Sequence, residues 1–263
     1  MQTDQILETA IQAAREAGRI LVERLADERE VRVKGLRDIV TDADEAAEQT
    51  VIQTIHARFP DHAILSEEGN NSSGDAPYMW IVDPLDGTTN YSRRLPIFSV
   101  SVGLLHEGQP AAGVVYDPLR DHLFAAERGR GATLNGKPLR VSAFDRVEHA
   151  MVGLDWAHTH QERGETVARL TRIAPACGTV RGLGSAALAL CYVAAGWLDA
   201  YFNVGLKPWD VAAGALLIEE AGGRVTDLRG GGWQLWEGRM LGSNGHVHQA
   251  LLELMDGVSR ASW

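Results

Sequence analysis

Residues 80–90 read WIVDPLDGTTN, a short apolar run followed by acidic and hydroxyl side chains. The apolar residues 79–82 predict a strand. The eight residues after it, 83–90, contain two carboxylates, a proline, a glycine and three other polar side chains. Burying such groups for packing alone costs free energy, so we expect this segment to carry chemistry.

Two aspartates three residues apart predict a site for a hard divalent cation. Mg²⁺ takes carboxylate, carbonyl and water oxygens as ligands. We expect Pro84 to enforce a tight turn in which Asp83 and Asp86 converge, with the carbonyl group of Leu85 between them.

The residues that follow predict a phosphate site beside that cation. Gly87, Thr88 and Thr89 could begin a helix, and the free N–H groups at a helix N-terminus attract anions. An Asx turn with an incidental helix cap is the structural alternative for the same residues.

Other hydrolytic signatures do not fit the chain. In the haloacid-dehalogenase signature, Asp-x-Asp-Gly-Thr, the first aspartate is a covalent nucleophile. Pro84 occupies that position here, so attack by a metal-activated water is the better mechanism. The sequence also lacks a GxSxG elbow, an HExxH helix, a Walker A loop and a Gly-x-Gly-x-x-Gly fingerprint after a strand. These absences exclude the serine hydrolase, zincin, ATPase and Rossmann classes.

The composition is that of an ordinary globular protein, with 263 residues, 45% hydrophobic and 23% charged. One domain or two closely packed halves are expected. The formal net charge of −10 argues against nucleic acid polymers and anionic membranes as partners. Cys177 and Cys191 fit neither a disulfide framework nor a zinc site. With no signal-peptide pattern and no apolar run of membrane-spanning length, we expect a soluble, cytoplasmic protein.

Helical spacing of apolar residues predicts two helices before the acidic segment, over 6–25 and 44–58. The loop between them carries polar residues, namely Lys34, Asp38, Thr41 and Asp44. A short apolar run over 63–65 predicts a strand that ends beside Glu67, before a polar loop over 69–77.

Strand patterns dominate residues 97–142, where turn signals separate apolar runs. They predict an antiparallel sheet with strands over 98–105, 111–116 and 122–126. The second half mixes both periodicities. It predicts strands over 151–154, 198–202 and 224–228, and helices within 161–174 and over 185–195, 211–221 and 246–255.

The segment 80–90 resembles the signature of the inositol monophosphatase family. Two further segments are similar to motifs of that family, Leu65-Ser66-Glu67-Glu68 and the run from Trp209-Asp210 to Gly222-Gly223. The resemblance extends across almost the whole chain through the order of Lys34, Asp38, Val40, Thr41 and Asp44 and the closing Ser243-Asn244-Gly245.

This resemblance implies an α/β fold, a layered α+β sandwich of the αβαβα type. A large antiparallel sheet would lie in an N-terminal part, residues 1–145, which carries most metal ligands. A smaller mixed sheet would lie in a C-terminal part, residues 146–263, which carries Asp210 and substrate-contacting segments. The two parts would form one compact unit, and the resemblance alone implies a homodimer.

By the same resemblance, two or three Mg²⁺ ions are bound by the side chains of Glu67, Asp83, Asp86 and Asp210 and the carbonyl group of Leu85. Asp44 and Thr88 match the pair that orients or deprotonates the attacking water. Glu68, with Lys34, matches a position near a further metal and is a third candidate catalytic residue. The implied substrate contacts are Asp86, Gly87, Thr88, Gly184, Ser185, Ala186, Asn203 and Asp210.

These features predict Mg²⁺-dependent hydrolysis of a small phosphorylated metabolite, with inositol 1-phosphate as the leading monoester. Inositol-preferring members carry a glutamate at the position of Asn203, which puts that preference in question. Residues 155–160 are expected near the pocket without a catalytic role. The alternatives at the same site are fructose-1,6-bisphosphatase, histidinol-phosphatase and 3′(2′),5′-bisphosphate nucleotidase activities. A non-catalytic Mg²⁺-binding interaction protein is the alternative from another class, and the presence of every predicted ligand argues against it.

Overall fold

The first half of the chain opens with two helices and a hairpin. The computed structural model describes residues 2–27, 30–36, 38–69 and 77–256, without the side chains of 2–4 and 38. Helix α1 (Gln2–Arg24) is followed by the antiparallel strands β1 (Val31–Gly35) and β2 (Asp38–Thr41) and by helix α2 (Asp42–Arg58). The loop predicted between the two helices is therefore wrong. All five residues of β1 are exposed, so this strand lacks the half-buried alternation by which strands are recognised.

The larger sheet has seven strands in chain order. They are β3 (Ala63–Ser66), β4 (Tyr78–Asp86), β5 (Ser99–His106), β6 (Gln109–Asp117), β7 (His122–Glu127), β8 (Gly131–Leu134) and β9 (Lys137–Pro138). Helix α3 (Thr88–Ser92) lies between β4 and β5. All neighbours are antiparallel except the parallel pair β3 and β4. The predicted antiparallel sheet is confirmed in its main strands, whereas β8 and β9 were not predicted as strands.

The smaller sheet has five strands and is mixed, as predicted. The elements of this half are β10 (Met151–Leu154), α4 (His160–Ile173), β11 (Thr179–Gly182), α5 (Ala186–Ala194), β12 (Ala200–Val204), α6 (Pro208–Glu220), β13 (Arg224–Thr226), β14 (Arg239–Ser243) and α7 (His248–Met255). The strand order is β11-β10-β12-β14-β13, in which β14 runs antiparallel to both neighbours. Sequence patterns missed β11 and β14.

Three apolar cores separate the layers. Helices α1 and α2 pack on one face of the larger sheet, around Trp80 and Val102. Helices α5 and α6 lie between the two sheets, around Ile81 and Tyr201. Helices α4 and α7 cover the outer face of the smaller sheet. The predicted αβαβα order is confirmed. Within the described residues, no helix is both long enough and apolar enough to cross a membrane.

Helix α6 approaches the larger sheet closely because glycines face it. A Cβ atom on Gly113 of β6 would lie 2.8 Å from the Cα atom of Ala213, and one on Gly103 of β5 would lie 3.0 Å from the Cβ atom of Ala212. These approaches set the distance of α6 from the sheet, and α6 carries Asp210 in its first turn.

We expect Gly113→Ala to lower the free energy of unfolding by about 1–3 kcal/mol, the usual cost of overpacking. The reason is that the added methyl group meets the backbone of α6, which cannot rotate away. Thermal unfolding followed by circular dichroism measures the effect. Gly232→Ala is the control because nothing lies within 4 Å of its Cβ position. Equal melting temperatures for both variants would contradict the packing argument.

Candidate metal and phosphate site

A β-bulge places Asp83 and Asp86 on the same face of β4. In the pairing with β5, Asp83 lies opposite Ser101 and Asp86 opposite Ser99, so one strand advances three residues while the other advances two. Residues three apart in a regular strand point to opposite faces, and one extra residue reverses that relation. The predicted convergence of the two aspartates is found, but in a bulged strand and not in a turn after the strand. Pro84 suits the bulge because it has no N–H group to donate to a ladder.

Three carboxylates from both halves of the chain meet at this bulge. Asp83, Asp86 and Asp210 each offer an oxygen atom, and these atoms all lie within 4.8 Å of one another. Asp210 comes from the first turn of α6, where its Oδ2 also accepts a hydrogen bond from the Lys207 amide at 2.6 Å. Asp210 therefore belongs both to the capping box that begins α6 and to the acidic cluster.

The cluster is electrostatically strained without a cation. Burial raises the pKa of Asp83 well above its usual range, and the charges of Glu67, Asp86 and Asp210 raise it further. Burial likewise raises the pKa of Asp210 well above its usual range. Like charges in a shared, desolvated site disfavour ionisation, and a divalent cation removes that penalty.

The Asp86 carboxylate is held by the N-terminus of α5. Its Oδ1 accepts a hydrogen bond from the Ala186 amide at 3.1 Å, and its Oδ2 accepts one from the Ala187 amide at 3.0 Å. The hydroxyl groups of Ser185 and Ser99 also donate to Oδ2. These bonds favour the ionised form, but burial is the larger effect and raises the pKa of Asp86 to about 6. Ser185 is buried, and its hydroxyl group is engaged by Asp86.

The hairpin of β1 and β2 brings a lysine to the edge of the cluster. Lys34 Nζ lies 3.0 Å from Glu67 Oε1 and 2.8 Å from Glu68 Oε1. Burial, followed by the charge of Glu67, raises the pKa of Glu68 to about 7, although the hydrogen bond from Lys34 opposes this. Lys34 therefore forms ion pairs with both Glu67 and Glu68 at the edge of the cluster.

Asp44 and Thr88, the predicted water-orienting pair, lie in contact. Thr88 Oγ1 is 3.1 Å from Asp44 Oδ1 and 3.0 Å from the carbonyl oxygen of Leu85. Asp44 Oδ2 accepts hydrogen bonds from the amide and the hydroxyl group of Thr41, in the capping box that begins α2. Burial raises the pKa of Asp44 to about 6. A carboxylate with this pKa is largely ionised at neutral pH and can accept a proton.

Gly87 joins the bulge to α3 in a conformation that suits only glycine. Its φ is +97°, and a Cβ atom there would lie 3.0 Å from the carbonyl oxygen of Ile97 and 3.1 Å from that of Gly184. Helix α3 begins at Thr88, as predicted, but has only five residues. The amides of Gly87 and Thr88 remain the predicted phosphate contacts.

The acidic cluster opens into a cavity of about 930 Å³. Its lining includes most predicted site residues, namely Lys34, Glu67, Asp83, Leu85, Asp86, Gly87, Thr88, Gly184, Ala186, Asn203 and Asp210. Residues 155–158 also line it, as expected. Trp209 packs against the core between the sheets and also lines the cavity.

A hydrogen-bonded relay at the cavity wall was not predicted. Asp155 Oδ1 accepts from the Gly184 amide at 2.6 Å, and its Oδ2 accepts from the Tyr201 hydroxyl group at 3.2 Å. Asn203 Nδ2 donates to the same hydroxyl group at 3.0 Å, which leaves Asn203 Oδ1 without a partner among the described residues. All five residues of β12 are buried, so no alternation in the sequence marks Tyr201, and nothing in the sequence pairs it with Asp155.

The residues present fit a divalent cation. Three carboxylates converge, of which Asp83 and Asp86 are buried and Asp210 is half-buried. The charge of Asp86 raises the pKa of both Asp83 and Asp210, and the carbonyl oxygen of Leu85 lies beside them on the bulge. Oxygen donors of this kind suit Mg²⁺ better than a softer transition metal. The acidic cluster could therefore bind a metal ion.

A layered αβαβα fold whose cavity holds converging carboxylates defines a class of metal-binding α/β proteins. The model of the inositol monophosphatase family matches residues 2–260. The chain therefore belongs to the inositol monophosphatase family. It is 40% identical over 264 residues to "Nus factor SuhB" of Escherichia coli (strain K12), covering 97% of this chain and 99% of that protein. It is also 40% identical to "Phosphatase IMPL1, chloroplastic" of Arabidopsis thaliana, covering 94% of this chain and 69% of that protein.

Solved structures agree with this assignment. The inositol monophosphatase from Anabaena (Nostoc) sp. PCC 7120 superposes with a TM-score of 0.89 at 37% identity, covering 100% of both chains. The suhB protein from Bartonella henselae gives a TM-score of 0.93 at 37% identity, covering 96% of this chain and 99% of that one. An IMPase/NADP phosphatase complexed with Mg²⁺ and phosphate gives a TM-score of 0.86 at 26% identity, covering 98% of this chain and 97% of that one.

Because the pKa values of Asp83, Asp86 and Asp210 are raised, the folded chain binds protons more tightly than the unfolded chain. Their stabilising contribution is full below about pH 4 and is lost as the pH rises through the folded-state values, about 6 for Asp86. We therefore expect Mg²⁺ to raise the melting temperature more at about pH 8 than at about pH 5, since protons compete with the metal. Differential scanning calorimetry measures this, with Na⁺ at equal ionic strength as the control. An equal gain at both pH values would contradict the assignment of these carboxylates.

Proposed function

We propose that this protein is a Mg²⁺-dependent phosphatase of small phosphate monoesters, with inositol 1-phosphate as the leading substrate. The observation that carries the proposal is the convergence of Asp83, Asp86 and Asp210 in one cavity, which Thr88, the hydrogen-bond partner of Asp44, also lines. Membership of the inositol monophosphatase family and the relative named as a phosphatase in Arabidopsis support it.

Each group in the cavity has a proposed task. Glu67, Asp83, Asp86, Asp210 and the carbonyl group of Leu85 would hold two or three Mg²⁺ ions. The chemistry that bound Mg²⁺ supplies at such a site is neutralisation of phosphoryl charge and acidification of a coordinated water. The amides of Gly87 and Thr88 would donate to the phosphate oxygens, a role that suits their place at the start of α3.

Asp44 and Thr88 would handle the proton in the hydrolysis. Thr88 Oγ1 lies 3.1 Å from Asp44 Oδ1, close enough to relay a proton from an attacking water to the carboxylate. In the proposed reaction the water oxygen forms a bond to phosphorus and gives one proton to Asp44, while the bond from phosphorus to the alcohol oxygen breaks. The leaving alkoxide would take a proton from a solvent water, and Asp44 would return its proton to solvent, so that water and the monoester give the alcohol and phosphate. Glu68 would act from the edge of the site, since Lys34 links it to Glu67.

The alcohol half of the substrate would lie against Gly184, Ala186 and Asn203. The unpartnered Oδ1 of Asn203 is an acceptor, so it favours an alcohol that carries a further hydroxyl group. A neutral acceptor selects less strongly for donors than a glutamate would, which keeps fructose 1,6-bisphosphate, histidinol phosphate and nucleotide bisphosphates as rival substrates.

We expect Mg²⁺-dependent phosphate release from at least one member of a panel of monoesters. The panel contains myo-inositol 1-phosphate, fructose 1,6-bisphosphate, histidinol phosphate, 3′-phosphoadenosine 5′-phosphate and 2′-AMP. Asp86→Asn should reduce turnover of the best substrate by roughly 10²–10³-fold or more, because it removes charge stabilisation at the reacting phosphate. A colorimetric phosphate assay measures both effects.

Asp121→Asn is the control for that variant, since Asp121 is exposed and pairs with Arg15 on α1. It should turn over at the wild-type rate. Near-normal activity of Asp86→Asn, or release that survives chelation of Mg²⁺, would refute the proposed site. No release from any compound would favour a non-catalytic protein.

A second proposed role is participation in a transcription assembly, and the observation behind it is the relatives named "Nus factor SuhB" at 40% identity. Such a role would not need hydrolysis. A variant that has lost phosphatase activity can therefore distinguish the two roles. Immobilised wild-type and Asp86→Asn chains should then retain RNA polymerase equally well. Capture by neither chain would remove this role, whatever the phosphatase assay gives.

We also propose a homodimer, on the family resemblance alone, and a cytoplasmic location, because two cysteines that suggest no disulfide framework fit a reducing compartment. Light scattering of the purified chain tests the dimer, because the 28.6 kDa protomer and a dimer differ twofold in mass. A monomer at all concentrations would remove that part of the proposal.

A further inference from the structure

A second cavity lies beside the candidate active site. It has a volume of about 620 Å³ and is lined by Val31, Ile39, Thr89, Ser92, Arg93 and Arg163. Three of these residues, Ile39, Thr89 and Arg163, also line the main cavity, so the two spaces adjoin. Thr89 follows Thr88, one of the proposed phosphate contacts. A molecule held at the phosphate site could therefore extend into the second cavity.

The charges at the second cavity are opposite to those at the first. Among the six described residues that line it, two are arginines and none is acidic. The chain as a whole, by contrast, carries a formal net charge of −10. Two guanidinium groups on one cavity, without a lining carboxylate, attract an anion and repel the cations that the main cavity suits.

The two arginines of this cavity differ in how they are held. The guanidinium group of Arg93 makes no ion pair or hydrogen bond within the part of the chain that the structure describes, and Arg93 is exposed. Arg163 is held in place at the shared wall. Its Nε donates to the carbonyl oxygen of Ala157 at 2.7 Å, and its guanidinium carbon lies 5.9 Å from the ring centroid of Trp156. An anchored arginine loses little side-chain entropy when it binds an anion.

Two lysines, Lys34 and Lys207, also line the main cavity. The charge of Lys207 acts on Asp210, since it opposes the rise in the pKa of that carboxyl group. Lys34 contacts both Glu67 and Glu68, at 3.0 and 2.8 Å. Both lysines therefore lie beside the carboxylates of the acidic cluster. The arginines of the second cavity, which has no acidic residue among its described lining residues, are the better partners for a second anionic group.

We propose that Arg93 and Arg163 form a second anion subsite, which takes a second anionic group of the same substrate. The subsite rests on the proposed phosphatase function, because it extends the substrate class of that site to molecules with two anionic groups. A second phosphate and a carboxylate share the required chemistry, since both offer anionic oxygens to a guanidinium group.

Matched substrate pairs test the subsite. Fructose 1-phosphate and fructose 1,6-bisphosphate differ only in the second phosphate, and glycerol 2-phosphate and 2-phosphoglycerate test a carboxylate in its place. In the wild type we expect a lower KM for the member with two anionic groups, in at least one of the two pairs. The pair that shows this preference identifies the anion. Because exposed charges are screened by salt, the preference should shrink at high ionic strength.

Arg93→Gln should reduce the KM preference about fivefold, the usual upper effect of one exposed ion pair. Arg94→Gln is the matched control, because Arg94 is the next residue and also exposed, but it donates to the carbonyl oxygens of Ala26 and Asp27 beyond the end of α1. The control should keep the wild-type preference. Equal losses in both variants would mean that net charge, and not this cavity, causes the preference, and the subsite would be overturned.

A binding measurement separates failure of the subsite from failure of the proposed function. Binding of the two fructose phosphates is measured by calorimetry in Ca²⁺, another hard cation with oxygen ligands. Tighter binding of the bisphosphate that is lost in Arg93→Gln, without hydrolysis in Mg²⁺, would overturn the phosphatase function and retain the subsite. Equal binding of both compounds by the wild type would overturn the subsite even if both are hydrolysed.

Discussion

The mutual repulsion of three converging carboxylates, two of them buried and one half-buried, is the constraint on which the site depends. Asp83, Asp86 and Asp210 place ligand oxygens within 4.8 Å of one another, and burial raises the pKa of each. Such an arrangement is unfavourable unless surrounding groups hold it. The fold supplies those groups, since α5 donates amides to Asp86 and α6 donates an amide to Asp210. The acidic cluster is therefore a product of both halves of the chain.

Two local devices make that assembly possible. The bulge in β4 turns Asp83 and Asp86 to one face, although three residues separate them. Gly113 and Gly103 allow α6 to pack close to the larger sheet, which brings Asp210 to the same place. Each device costs local stability, because a bulge loses ladder hydrogen bonds and a glycine in a strand packs no side chain. Strain at such positions is commonly found where a protein does chemistry.

Some features were predictable because they depend on local sequence. The helical spacing of residues in α1, α2 and α6 and the apolar runs of β4 to β7 are local signals, and they predicted the corresponding elements. The hairpin of β1 and β2 was not predicted, because its exposed residues carry no burial pattern. The strand Arg239–Ser243 was not predicted either, because its short run RMLGS shows no clear alternation, although glycines lie on both sides of it. Its strand character comes from pairing with β12 and β13.

The sequence by itself determined the fold class, the family resemblance and the identity of the acidic residues, because motifs and periodicity are properties of neighbouring residues. Only the tertiary structure decided how those residues meet. Asp86 finds its hydrogen-bond partners about a hundred positions away, at Ala186 and Ala187, and Asp155 reaches Asn203 through Tyr201. Contacts between residues so far apart in the sequence depend on how helices and sheets pack, and no short stretch of sequence encodes that packing. The second cavity with Arg93 and Arg163 has the same origin.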